Sequence, residues 1–187
     1  MYHYLDDKEF LHDMRALSGE IMQLLCHYLK ADYDIGAGFY LVGSGAKNLI
    51  LQNENNPVDV GLSVSLFNGL SNSKSDYALC ITGDQPTVSA ETFNRMIETI
   101  QNSENPEKTI SILRRRKTGL LDTAEGLGMP FAADRMELIK YLHDKDDNLN
   151  PILREIFADG FDFYGVKENH PNELININHY SEYESIL

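Results

Sequence analysis

The sequence predicts an α+β protein, a small mixed sheet flanked by helices with a mainly helical C-terminal segment. Three observations carry that expectation. Apolar residues recur at helical spacing over about residues 6–31 and 89–102. Short runs of strand formers stand at 39–42, 58–66 and 77–81, and beyond residue 118 the helix signals outweigh the strand signals. The 187 residues, 42% hydrophobic and 24% charged, suit one folded domain or a core with an appendage, and argue against disorder.

The first helix, 6–31, carries Met14, Leu17, Ile21, Leu24 and Tyr28 as one stripe, with Asp6 and Glu9 as its start signal and Gly36 and Gly38 beyond its end. Phe39-Tyr40-Leu41-Val42 reads as a strand that stops at Gly43-Ser44-Gly45, and a helical segment follows over 46–52. From Val58 to Leu66 apolar residues alternate with period two, which predicts a second strand. Asn68-Gly69 and the polar stretch 71–75 read as a turn into a strand at Tyr77–Ile81, with the two strands paired as a hairpin. Phe93, Met96, Ile97 and Ile100 place a helix over 89–102 capped by Ser89.

Residues 108–121 are ambiguous, and the glycines and Pro130 of 118–130 mark a loop and a boundary. The expected division is therefore a core over 1–117 and an acidic, mainly helical segment over 118–187, which are compatible with one compact unit. Helices are expected at 132–143 and 151–159, the latter capped by Asn150 and closed by Gly160, and a short strand at 174–177.

The net charge is −13, and it is unevenly spread. Residues 1–117 hold 15 acids and 11 bases, whereas 118–187 hold 14 acids and 5 bases. Such a balance disfavours general nucleic-acid binding, which needs a Lys and Arg surplus against phosphates. It leaves room for a single nucleotide, because a divalent cation turns a carboxylate-lined pocket into an anion site. Arg114-Arg115-Arg116-Lys117 is a basic island suited to a triphosphate, to an acidic partner or to the chain's own acidic part. A protein partner or a homo-oligomer is compatible with all of this.

The stretch from Leu41 to Leu62 holds the most chemistry. A strand, a Gly-Ser turn and a helix present backbone N–H groups and a hydroxyl to an anion at the positive end of the helix dipole. A carboxylate on a neighbouring strand, Asp59, could hold a metal ion against the same phosphates. On Val42-Gly43-Ser44 and Val58-Asp59-Val60 the chain resembles the nucleotidyltransferase superfamily of the DNA polymerase beta-like fold, over about residues 39–84.

That resemblance implies transfer of a nucleoside monophosphate from a nucleoside triphosphate to a hydroxyl of a small molecule or protein. It implies Gly43, Ser44 and Gly45 as nucleotide-binding residues, and Asp59 as the catalytic residue and ligand of magnesium. The family pairs two carboxylates one residue apart on that strand, where this chain has Gly61. Asp76 and Asp84 flank the next strand without the family's third carboxylate pattern. The departure raises an alternative: a catalytically inactive module, a pseudoenzyme that keeps the fold for binding or regulation.

Other motifs fail. Gly43 to Asn48 lacks the Gly-Lys-Ser/Thr of a P-loop and the third glycine of a dinucleotide fingerprint. Asp144, Asp146, Asn148, Asn150 and Glu155 copy the spacing of a calcium loop, but Leu149 takes the obligatory glycine's place and Pro151 strains the turn. An acidic interhelical loop is expected there instead. No histidine pair or Gly-x-Ser-x-Gly elbow supports a metallohydrolase or a serine hydrolase. Cys26 and Cys80 sit among apolar neighbours as free thiols, and with no leader and no run of about 20 apolar residues a cytoplasmic protein without membrane spans is expected.

Overall fold

The computed structural model describes residues 41–42, 52–53, 61–82, 85 and 87–176. The expected first helix, Gly43-Ser44-Gly45, Asp59, Cys26 and residue 177 lie outside the described residues. Leu41–Val42 forms β1 and Gln52–Asn53 forms β2, paired in parallel with Leu41 opposite Gln52. Gln52, expected at the end of a helix, is thus already strand.

Helix α1, Leu62–Asn72, replaces the second half of the strand expected over 58–66 and the turn at 68–69. The reason is visible in its apolar positions. Leu62, Leu66 and Leu70 are four residues apart, and with Phe67 they pack against the main core. Val64 supplied the period-two signal, but a helix needs only the i, i+4, i+8 set.

A five-stranded sheet forms the centre. Its strands are β3 (Tyr77–Cys80), β4 (Thr109–Leu113), β5 (Gly119–Leu120), β6 (Phe131–Asp134) and β7 (Asp162–Val166), in the order β3-β6-β4-β7-β5. β4 and β7 are parallel, while β6 runs antiparallel between β3 and β4, and β5 runs antiparallel to β7. The strand expected at 77–81 is present, but its partner is β6, with Ala78 opposite Ala133, and not the 58–66 segment. The 117/118 boundary falls between β4 and β5, inside this sheet, and residues beyond it contribute three of its five strands.

Helices cover both faces. Ile110, Ile112, Phe131, Ala133 and Phe163 point to one face, under α1, α3 (Arg135–Leu142) and α4 (Leu149–Ala158), where Leu138, Leu142, Ile152, Leu153 and Ile156 are buried. Leu113, Ala132 and Val166 point to the other, under α2 (Ala90–Gln101) with Phe93, Met96 and Ile100. Each of the larger side chains among these stabilises by about 2 kcal/mol through burial. The alternation along β4 also turns Ser111 toward α2, where its hydroxyl donates to the Met96 carbonyl at 2.7 Å.

Ser89 caps α2 as expected, accepting from the Thr92 N–H. α4 begins earlier than expected, with Asn148 as its cap residue and Pro151 in its first turn, and Gly160 follows it at φ 82°. Of the strand expected at 174–177, Leu174 ends a 3-10 turn, Pro171–Leu174, and Ile175 and Asn176 form no strand. Cys80 is a free buried thiol, and burial pushes its pKa up to about 12. Among the described residues no helix is long and apolar enough to cross a membrane.

Candidate functional site at the carboxyl edge of the sheet

Because β6 is antiparallel to both β3 and β4, the strands β3, β4 and β7 share one direction. Their carboxyl ends, Cys80, Leu113 and Val166, therefore open onto one edge of the sheet. Open sheets with parallel strands bind ligands beyond such ends, where connecting loops leave a crevice and helix N-termini converge. The described residues of three connections lie here, tied to one another by hydrogen bonds and an ion pair: 87–89 before α2, 114–118 after β4, and the segment from 167 after β7.

The loop after β4 is the basic island. The Arg114 guanidinium makes a two-pronged ion pair with Glu168, whose side chain is only 8% exposed. That pairing holds the Glu168 carboxyl at a pKa of about 2 and raises that of Arg114. Arg115 donates to the Met129 carbonyl at 2.8 Å, next to the cis Met129–Pro130 bond, and Lys117 faces Asp122 at 3.4 Å. Arg116 is exposed and has no ion-pair partner among the described residues. Two of the four cations are thus structural, and two face solvent at the edge.

The loop after β3 contains Gln85, whose side chain is almost wholly buried. Its Oε1 accepts from the Thr82 hydroxyl at 3.2 Å, while its Nε2 has no partner among the described residues. A buried donor left open is rare in a folded protein and calls for an acceptor. The same loop is held from the other side by the segment after β7. Thr87 donates to the Asn172 carbonyl at 2.7 Å, and Ser89 donates from its hydroxyl to Glu173 at 2.6 Å.

Of the residues singled out in the sequence, Arg114–Lys117 reach this edge. Gly43, Ser44 and Gly45 directly follow β1, and they and Asp59 lie outside the described residues. Gly61 is described: it is the last residue before the helix that replaces the expected strand from Leu62 onward, and residues 58–60 lie outside the described residues. It precedes α1 with φ −61° and ψ 160°, and its N–H donates to Asp146 Oδ1 at 3.0 Å. A Cβ at this position would stand 2.3 Å from the same oxygen, so neither a carboxylate nor a methyl group fits without displacing Asp146.

The acidic loop 144–147 is correspondingly a brace for α1. Ser63, fully buried, donates to the Lys145 carbonyl and accepts from the Asp147 N–H at 2.8 Å. Nothing in the sequence marks these contacts across more than 80 residues, nor the buried Glu173. Only Ser89 and the basic island were legible as local features.

No family model matches the sequence, and no curated protein does. Solved structures do. A nucleotidyl transferase from Methanothermobacter thermautotrophicus, Mth528, is 38% identical, with a TM-score of 0.72 over 89% of this chain and 77% of its own. The chain belongs to the nucleotidyl transferase family. Its fold recurs at lower identity. 4-Diphosphocytidyl-2C-methyl-D-erythritol synthase from Anaerococcus prevotii is 14% identical, covering 78% of this chain and 75% of its own, with a TM-score of 0.55. Rv0371C from Mycobacterium tuberculosis, in complex with manganese, is 17% identical with a TM-score of 0.53, over 93% and 86% of the two chains. The kinship is with nucleotidyl transferases as a group. The narrower polymerase beta-like signature loses its second strand from Leu62 onward, where the chain is helical.

Proposed function

We propose that the chain is an active nucleotidyltransferase, moving a nucleoside monophosphate from a nucleoside triphosphate to a hydroxyl on a small molecule or protein. The acceptor oxygen forms a bond to the α-phosphorus as the bond to the bridging α–β oxygen breaks. Pyrophosphate leaves, and the hydroxyl proton passes to a base. The kinship with Mth528 over most of both chains carries this conclusion. The carboxyl edge supports this reading, because the Gln85 Nε2, without a partner among the described residues, offers an N–H donor and the exposed Arg116 and Lys117 offer cations to a polyphosphate.

Gly43, Ser44 and Gly45, directly after β1, would add backbone N–H groups, and Asp59 would hold magnesium. Among the described residues no three His, Cys, Asp or Glu side chains converge as a metal cage, so the described part of the molecule does not by itself fit a divalent ion. The metal role belongs to the proposal through Asp59 alone. The inactive module rested on Gly61, and that glycine has its own structural cause in the close approach of Asp146.

Calorimetry with each of the four ribonucleoside triphosphates, with and without magnesium, tests the proposal. Binding of at least one with magnesium is expected, weakened about tenfold or more by Asp59→Ala, which removes a charged ligand. Absence of binding under all eight conditions would refute the enzyme; unchanged binding in Asp59→Ala would refute the role of Asp59.

A further inference from the structure

We propose that Glu173 is a positioning residue of the nucleotide site: it clamps the segment after β7 onto the first turn of α2, and so fixes the β3–α2 loop at the carboxyl edge. This rests on the functional reading above only for the identity of the site.

Glu173 is completely buried, yet no Lys, Arg or His pairs with it among the described residues. Burying a carboxylate is costly unless hydrogen bonds replace the water it loses. Here they do. Oε1 accepts from the Ser89 N–H at 3.3 Å and the Ser89 hydroxyl at 2.6 Å, and Oε2 accepts from the Thr92 hydroxyl and from the Asn169 N–H at 3.0 Å.

Three of those four donors belong to the start of α2, where the helix dipole favours negative charge. The fourth belongs to the segment that follows β7. A second tier extends the tie: Arg95 donates to the Thr92 hydroxyl at 2.9 Å and to the Lys167 carbonyl at 3.0 Å.

A helix cap needs one oxygen, and Ser89 already supplies it to the Thr92 N–H. The carboxylate is therefore surplus to capping. What it adds is a bond between two loops of the same edge, and the Thr87 hydroxyl bond to the Asn172 carbonyl repeats that bond one step nearer Gln85. Residues 87–89, the described end of the loop that also holds Gln85, have a fixed end because Glu173 holds Ser89.

Both Glu173 oxygens receive donors from protein N–H groups, so Glu173→Gln must set its own NH2 against one of them. Hydrogen exchange on the full chain is expected to show amides of 85–93 exchanging about tenfold or more faster in Glu173→Gln, with β4 and β6 unchanged. Faster exchange confined to 169–175, or spread evenly over the chain, would overturn the clamp.

Should that variant not fold, Thr92→Val and Thr92→Ser decide. Valine removes one donor and should loosen 85–93, while serine should restore the wild-type pattern; a silent Thr92→Val overturns the clamp. Binding of the nucleoside triphosphates with magnesium separates the two proposals. Wild-type protein that binds none refutes the function while the exchange pattern still decides the clamp. Glu173→Gln that loosens the loop yet binds as wild type refutes the positioning role.

Discussion

Two glycines close two corners of the molecule, and they do so against different kinds of atom. At Gly165 in β7, a Cβ would meet the Lys117 carbonyl oxygen at 2.1 Å and Leu121 Cδ2 at 3.2 Å. At Gly61 before α1, it would meet Asp146 Oδ1 at 2.3 Å. The distances are nearly equal, but the first neighbour is main chain leading into β5, and the second is the end of an exposed side chain. A backbone oxygen moves only if its strand moves, whereas a carboxylate rotates away. The corner at the carboxyl edge is rigid and the corner at the acidic loop is compliant.

Gly165→Ala should therefore be the most damaging small change. It forces β5 from its register with β7, where Gly119 faces Gly165, at a cost of about 3 kcal/mol. The melting temperature should fall by roughly 6–12 °C in a chain of this size. A melting temperature within a degree of wild type would show that the Lys117 carbonyl yields freely, and the contrast between the corners would be lost.

The carboxylates after β7 sharpen the same contrast through pH. Arg114 holds Glu168 at a pKa of about 2, below its unfolded value near 4.3. A depressed carboxyl stabilises the fold fully above the unfolded pKa, and that stabilisation disappears as pH falls from about 4.5 toward 2. Glu168→Gln should cost about 1–2 kcal/mol at pH 7, moderated by solvent because the Arg114 side chain is 30% exposed. The gap between variant and wild type should close by about pH 2. Urea titrations at pH 7, 4 and 2 measure it, and a gap that stays constant across the series contradicts the ion pair as its source.

The two corners also differ in how far they could be read from the sequence. Local features survived: Ser89 before a helical stripe, Gly160 after one, and Tyr77–Ile81 as a strand. Period-two alternation misled at 58–66, because Leu62, Leu66 and Leu70 satisfy a helix equally well and the packing of α1 on the core decides between them. Asp162–Val166 was not expected as a strand; its Gly165 is explained by the approach of the Lys117 carbonyl, a contact 48 residues away in sequence.

The site was less legible still. Glu173 and Asp146 look like ordinary surface acids, and their partners at the starts of α2 and α1 lie 81 to 85 residues away. The Gly-Ser turn and Asp59 pointed to the nucleotidyl transferases, and the kinship with Mth528 supports the family.

The smallest effect should come from Gly61→Ala, and its origin can be isolated. The backbone there, φ −61° and ψ 160°, is open to any residue, so alanine pays no conformational penalty. What it loses is the room for Asp146 Oδ1 and the 3.0 Å bond from the Gly61 N–H, an exposed contact worth about 1 kcal/mol or less. If the carboxylate is the whole obstacle, Gly61→Ala should cost almost nothing in an Asp146→Ala background, and the two changes should be markedly non-additive. Trimming Leu121 should not rescue Gly165→Ala in the same way, because a main-chain oxygen remains in place. Equal additivity at both corners in a double-mutant cycle would mean that α1 meets the 144–147 loop through its backbone, through Ser63 and Asp147, more than through Asp146.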